Sequence, residues 1–243
     1  MQYLIANWKM YADPNLSLEL GAAYRNLELP AGVKGIVAPT ALSFLAVKDA
    51  LAGSAWEMSA QNSAWAVEGA YTGAISAQMF AQAGAKYTLI GHSERRHIFG
   101  ESDADIAKKI AAAVYAGLTP ILCVGESLED LESGKRQYRL KKQLQALEKV
   151  EASAPMIVAY EPVWAIGGSG QGRRCLPADV EDVHGFIRTE LATFGFVDSP
   201  ILYGGSVNAD NVSEYLLPEV GGLLVGTASI HPEQMQKIIN ALV

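Results

Sequence analysis

Five polar residues stand where apolar, strand-like runs give out: Asn7, Lys9, His92, Glu94 and Glu161. Asn7 and Lys9 are two apart, so on an extended strand their side chains share a face. A lysine there is either an ammonium aimed at a bound anion or a strand-end side chain snorkelling to water. His92 precedes a helix-like start at Ser93-Glu94-Arg95-Arg96. A helix N-terminus disfavours positive charge, which leaves a neutral imidazole able to donate a hydrogen bond to a carbonyl oxygen. The plainer reading is a capping or core histidine. Glu161 closes an apolar run and is followed by Pro162. A carboxylate partly withdrawn from water is a better base, whereas a rim carboxylate would simply be ion-paired. Glu94 is either catalytic or a structural partner of Lys9, Arg95 or Arg96. Together these types suit proton transfer beside a polarised carbonyl.

A second pattern concerns anions. Tyr203-Gly204-Gly205-Ser206-Val207 and Val225-Gly226-Thr227-Ala228-Ser229 are glycine turns after apolar runs. Backbone N–H groups in such turns cradle phosphate without basic side chains. That accommodates a small anionic ligand on a chain of net charge −7, whose acidic balance disfavours a nucleic-acid footprint. After Glu161 come Gly167, Gly168, Gly170 and Gly172. This run reads either as a mobile cover that would keep water from a reactive intermediate or as an ordinary connection.

These residues need a frame. Strand-like runs occur at 3–9, 35–39, 55–61, 87–91, 119–124, 156–161, 200–204 and 223–226, several of them apolar throughout, as in parallel sheets buried on both faces. Helical periodicity fills 16–27, 103–116, 135–150, 177–192 and 232–242. Eight strands alternating with helices over residues 1–243, with no linker or low-complexity break, predict an α/β fold, a single (β/α)8 barrel, with chemistry at the carboxyl ends of the strands. A doubly wound sheet would carry a Gly-rich loop after its first strand, where this chain has Asn7-Trp8-Lys9-Met10. The longest apolar stretch, 110–118, falls far short of the ~18–20 residues of a membrane span. The first strand-like run starts at Tyr3 and leaves no room for a secretory signal. Two cysteines without metal-ligand spacing predict a reduced, cytoplasmic chain. Cys123 reads as core, and Cys175, in a polar loop, as exposed.

At this point the chain resembles the triosephosphate isomerase family. The resemblance rests on Asn7-Trp8-Lys9-Met10, Ala60-Gln61-Asn62, Gly69-Ala70-Tyr71-Thr72-Gly73, Gly91-His92-Ser93-Glu94-Arg95-Arg96, Cys123-Val124-Gly125-Glu126, Tyr160-Glu161-Pro162-Val163-Trp164-Ala165-Ile166-Gly167 and Tyr203-Gly204-Gly205-Ser206-Val207, in family order over nearly the whole sequence. It implies a TIM barrel that interconverts dihydroxyacetone phosphate and D-glyceraldehyde 3-phosphate, in glycolysis and gluconeogenesis, with no cofactor or metal. It casts Glu161 as the base, His92 as the electrophile, Lys9 as the positive charge, Asn7 as its orienting neighbour and Glu94 as a carboxylate near the lysine. Gly167, Ser206, Gly226 and Thr227 align with backbone phosphate donors. A homodimer is implied too, with Thr72 of one subunit approaching Asn7 and Glu94 of the other. Trp65, Val67 and Tyr71 independently favour burying that loop.

Departures from the family pattern keep alternatives open. The segment 167–177 is about three residues longer than the pattern, which raises the entropic cost of ordering it. Arg173 and Arg174 would reach the phosphate or, the favoured reading, lie in solvent. Thr227 stands in place of a glycine, Gly221 in place of an acid that would pair with Arg188, and Ala74 in place of a glutamate that would pair with Arg95 of the other subunit. An isomerase of a longer ketose phosphate and a catalytically silent phosphate-binding barrel are the competing readings.

Overall fold

The computed structural model describes residues 2–166 and 173–242. Eight parallel strands close into a barrel in sequence order: β1 Gln2–Asn7, β2 Val33–Ala38, β3 Trp56–Ala60, β4 Tyr87–Ile90, β5 Thr119–Val124, β6 Ile157–Tyr160, β7 Ile201–Tyr203 and β8 Gly222–Val225. The barrel closes through β1 and β8, with Tyr3 opposite Gly222 and Ala6 opposite Val225. Each predicted strand is present; all but β5 stop a residue or two short of the predicted carboxyl end, where the mouth loops begin.

Alternation along the strands builds two cores. Ile5, Ile36, Leu89, Ile121, Cys123, Ile157, Ala159, Leu202 and Leu224 fill the barrel interior. Leu4, Ala6, Val37, Ile90, Leu122, Val158 and Tyr160 face outward, under the helices. Cys123 is core, as its sequence environment predicts.

The long helices follow the predicted periodicity: α1 Pro14–Arg25, α5 Asp103–Tyr115, α7 Arg136–Leu144, α8 Pro177–Thr193 and α9 Pro232–Ala241. Pro14, Pro177 and Pro232 occupy first turns, and Ser102 caps α5 in a reciprocal box with Asp105. The predicted helix at 135–150 ends sooner, at Leu144, and tightens into a 3-10 turn over Gln145–Leu147. Four short helices escape a periodicity argument because they span only two turns or fewer: α2 Phe44–Ala50, α3 Ala77–Ala83, α4 Ser93–His97 and α6 Leu128–Glu132. Between β7 and β8 the described residues hold a 3-10 turn, Val212–Tyr215, and no α-helix.

One expectation is corrected. Cys175 is 1% exposed rather than open to solvent. The backbone around it is pinned, with the Tyr215 hydroxyl donating to the Cys175 carbonyl at 2.8 Å. Arg188, with Gly221 in place of the acid, donates its guanidinium to the carbonyls of Val197 and Ser199 instead. No described helix is long and apolar enough to cross a membrane.

A close backbone approach lies where β1 meets β8. Gly222 has φ +147°, and a Cβ there would meet the Tyr3 carbonyl oxygen at 2.0 Å. Gly222→Ala should lower urea-melt stability by about 3 kcal/mol, since rigid backbone must shift. Gly32→Ala, at φ +85° but with open space, should cost only about 1 kcal/mol. Equal losses would place the seam elsewhere.

Candidate active site

The strand parity that fills the barrel interior also chooses what stands above it. Ile5 is followed two residues on by Asn7, Cys123 by Gly125, Ala159 by Glu161, Leu202 by Gly204, and Leu224 by Gly226. One carboxylate, one amide and three glycines therefore crown the apolar core. The glycines make room. A Cβ on Gly204 would lie 3.0 Å from Glu161 Cγ, and one on Gly125 would lie 1.8 Å from the Glu161 carbonyl oxygen.

His92 reaches the mouth by another route. Gly91 has φ +72°, which turns the chain out of the strand, and His92 becomes the N-cap of α4. Its Nδ1 accepts from the Glu94 backbone N–H at 3.3 Å. The ring hydrogen is therefore on Nε2, which lies 3.1 Å from Glu161 Oε1. The other carboxylate oxygen, Oε2, accepts from the Ser93 N–H at 2.9 Å. Glu161 is 2% exposed, so the Ser93 N–H and the adjacent imidazole stand where water would otherwise be.

Lys9 departs from the expected strand geometry. The ladder ends at Asn7, and Lys9 adopts φ +50°, so the two residues share the mouth without sharing an extended strand. Asn7 Oδ1 accepts from the Lys9 N–H at 3.0 Å. Lys9 Nζ meets Glu94 Oε1 at 2.8 Å, and its side chain passes over Gly226. Gln61, which the motif comparison named but to which sequence reasoning gave no role, donates to the carbonyls of both Lys9 and Ala38 at 2.9 Å. Its position in strand-three parity was the available signal.

Asn7, Lys9, His92, Glu161, Ser206, Gly226 and Thr227 line one cavity of about 490 Å3. Glu94 lies outside it, behind Lys9, on a neighbouring cavity edged by Trp65 and Gly73. The Ser206 hydroxyl donates to the Ala165 carbonyl at 2.8 Å, tying the β7 turn to the segment after Glu161. Gly167 lies outside the described residues, as do Gly168, Gly170 and Gly172.

The two arginines expected in solvent are ion-paired at the surface. Arg173 meets Glu132 at 2.9 Å, and Arg174 meets Glu214. Both stay about half exposed, and neither lines the cavity. Arg95 is satisfied within the chain by Glu101, and its guanidinium stacks 4.9 Å over Phe99. Thr72 is exposed beside Trp65 and Tyr71, whose rings meet edge to face at 6.4 Å.

A closed (β/α)8 barrel with a buried carboxylate, an Nε2-protonated histidine and a lysine at its carboxyl-end mouth defines a barrel enzyme built for proton transfer beside a carbonyl. The comparison with known families narrows the class: the triosephosphate isomerase family model matches residues 2–242. The chain belongs to that family of isomerases. It is 41% identical to a triosephosphate isomerase of Bdellovibrio bacteriovorus over 97% of both chains. It is 48% identical to one of Chlamydia trachomatis serovar L2 over 73% of this chain, and 49% identical to one of Xanthomonas campestris pv. campestris over 72%. These matches span 66% and 71% of the relatives' own lengths, the first just under two thirds.

The tautomer is directly testable. 15N spectra of labelled protein near neutral pH should show His92 Nε2 as the protonated nitrogen and Nδ1 as the bare one. The reverse pattern would contradict the cap geometry.

Proposed function

We propose that the chain, acting as one barrel over residues 1–243, interconverts dihydroxyacetone phosphate and D-glyceraldehyde 3-phosphate. The observation that carries this is the 3.1 Å contact between Glu161 Oε1 and His92 Nε2 at a cavity that also holds Lys9. A base and a hydrogen-bond donor this close can act on adjacent atoms of one small substrate.

When a ketose phosphate enters, its carbonyl oxygen takes the hydrogen bond of His92 Nε2–H. Glu161 then removes the proton from the adjacent carbon. The C–H electrons form a carbon–carbon double bond and the carbonyl electrons move to oxygen, giving an enediolate. The Lys9 ammonium and the His92 donor steady that negative charge. The hydroxyl proton on the first carbon's oxygen passes to the former carbonyl oxygen, and Glu161, now protonated, returns its proton to the former carbonyl carbon, which leaves the aldehyde on the first carbon. Asn7 fixes the Lys9 backbone, and Glu94 fixes the Lys9 ammonium. The turns at Ser206 and at Gly226-Thr227 hold the phosphate by backbone N–H groups, which suits an acidic chain. The reaction balances without cofactor or metal.

Isomerisation of D-glyceraldehyde 3-phosphate should be fast with the parent protein. Glu161→Gln should lower kcat by about 10²–10⁴-fold with the fold intact. Turnover of a four-carbon ketose phosphate alone would move the assignment to the longer substrate. Tight phosphate binding without turnover of either would make the barrel a silent binder.

We also propose a homodimer. Trp65, Val67 and Tyr71 are each nearly half exposed on the segment that carries Thr72, next to the cavity that Glu94 lines. Met10 and Phe99, both largely exposed, edge the same cavity. An apolar face this broad is costly in water. Sedimentation at micromolar concentration should give a dimer, and Trp65→Glu should give monomers. A monomeric parent would rule the dimer out. The buried thiols of Cys123 and Cys175 suit a reducing compartment, and we place the protein in the cytoplasm.

A further inference from the structure

Among the buried acids that the cavity does not use, Glu126 lies nearest the base in the chain fold. Glu126 is fully buried just past β5, beneath the segment that continues from Glu161. Its backbone carbonyl accepts from the Val163 N–H at 3.1 Å. Its Oε1 accepts from the Trp164 indole N–H at 2.8 Å and the Tyr160 hydroxyl at 3.1 Å. Glu126 thus grips residues on both sides of Glu161 and Pro162. Its Oε2 is buried without a hydrogen-bond partner among the described residues. Burial pushes the Glu126 carboxyl above the usual carboxylate range.

One cation faces it. Arg136, at the start of α7, places Nε 3.3 Å from Glu126 Oε1. The angle makes no hydrogen bond, so the contact is charge against charge. The far side of the guanidinium is held by α8, with Nη2 3.3 Å from Asp179 and Nη1 3.8 Å from Asp182. The other titratable groups around Glu126 are the Tyr160 hydroxyl and the Cys175 thiol, both held protonated by burial.

We propose that Arg136 is a positioning residue for the isomerisation: it keeps the buried Glu126 carboxylate ionised, and so keeps Tyr160 and Trp164 clamped on either side of Glu161. The proposal rests on the isomerase reading of the site. Arg136 touches neither the cavity nor Glu161, and acts only through Glu126. An ionised acceptor holds the indole and phenol more strongly than a neutral carboxyl does. Removing the cation favours the neutral form, so Glu126 takes up its proton at a higher pH.

Arg136→Gln should move the acid limb of the kcat profile upward by about one pH unit, with a loss of about three- to tenfold at pH 6 and little change in KM. Arg136→Lys, which keeps the charge, should retain the parent's acid limb. In a Glu126→Gln background, Arg136→Gln should change nothing further. A purely structural role would lower the melting temperature and leave the pH profile in place. The Trp164 indole 1H–15N signal supplies a readout free of turnover: it should titrate with Glu126, at a higher midpoint in Arg136→Gln. An unmoved profile and an unmoved indole midpoint in Arg136→Gln would overturn the proposal, as would equal losses in both backgrounds. If the parent turns over no triose phosphate, the isomerase reading fails, and the indole titration still decides the role of Arg136.

Discussion

A base withdrawn from water must be held without being used up, and the rest of the mouth follows from that constraint. Glu161 has lost its solvent, so its charge needs donors, and an isolated buried carboxylate would neutralise instead. A backbone N–H donates to one oxygen, and a histidine ring nitrogen lies against the other. Neither carries a full charge that would lock the carboxylate as a salt bridge. The one ammonium in the cavity is kept apart by its own carboxylate, Glu94. Charges of opposite sign thus share a small space without cancelling each other.

Space is the second half of the constraint. Glu161 sits where it does because the neighbouring strands have no side chain at the same height. Gly125 receives its backbone and Gly204 its side chain. The Gln143 amide then clasps both the N–H and the C=O of Gly125, at 2.8 and 3.0 Å. A glycine that must stay close to its neighbour is anchored by a side chain from a helix. The base is thus aligned from below and behind by residues that never meet the ligand.

The architecture was legible because it rests on patterns that survive without coordinates. Apolar runs marked eight strands, and helical periodicity marked the long helices between them. The short helices α2, α3, α4 and α6 carry too few turns for a periodic stripe, so tertiary packing decides them. At the site, residue type and strand-end position singled out Asn7, Lys9, His92 and Glu161. How they meet was not legible. The Lys9 backbone leaves the strand, and His92 turns inward only because Gly91 takes a positive φ. Cys175 was misread because a polar neighbourhood in sequence says nothing of what packs on it in space. Tyr215, forty residues away, ties down its backbone carbonyl. Arg173 and Arg174 likewise found carboxylates, Glu132 and Glu214, that no local pattern links to them. Gln61, Gln143 and Arg136 were missed for the same reason: each acts through a contact between elements distant in the chain.

The backbone at Lys9 carries a consequence for how such a protein can change. With φ +50°, position 9 is one where glycine or asparagine would relieve strain, and lysine persists only because the Asn7 side chain holds its N–H and Gln61 holds its carbonyl. Variants selected for thermal endurance alone would drift toward the relaxed residue and discard the ammonium. Stability and turnover therefore pull in opposite directions at this one residue. Retention of lysine in a laboratory lineage would reveal which of the two was under selection.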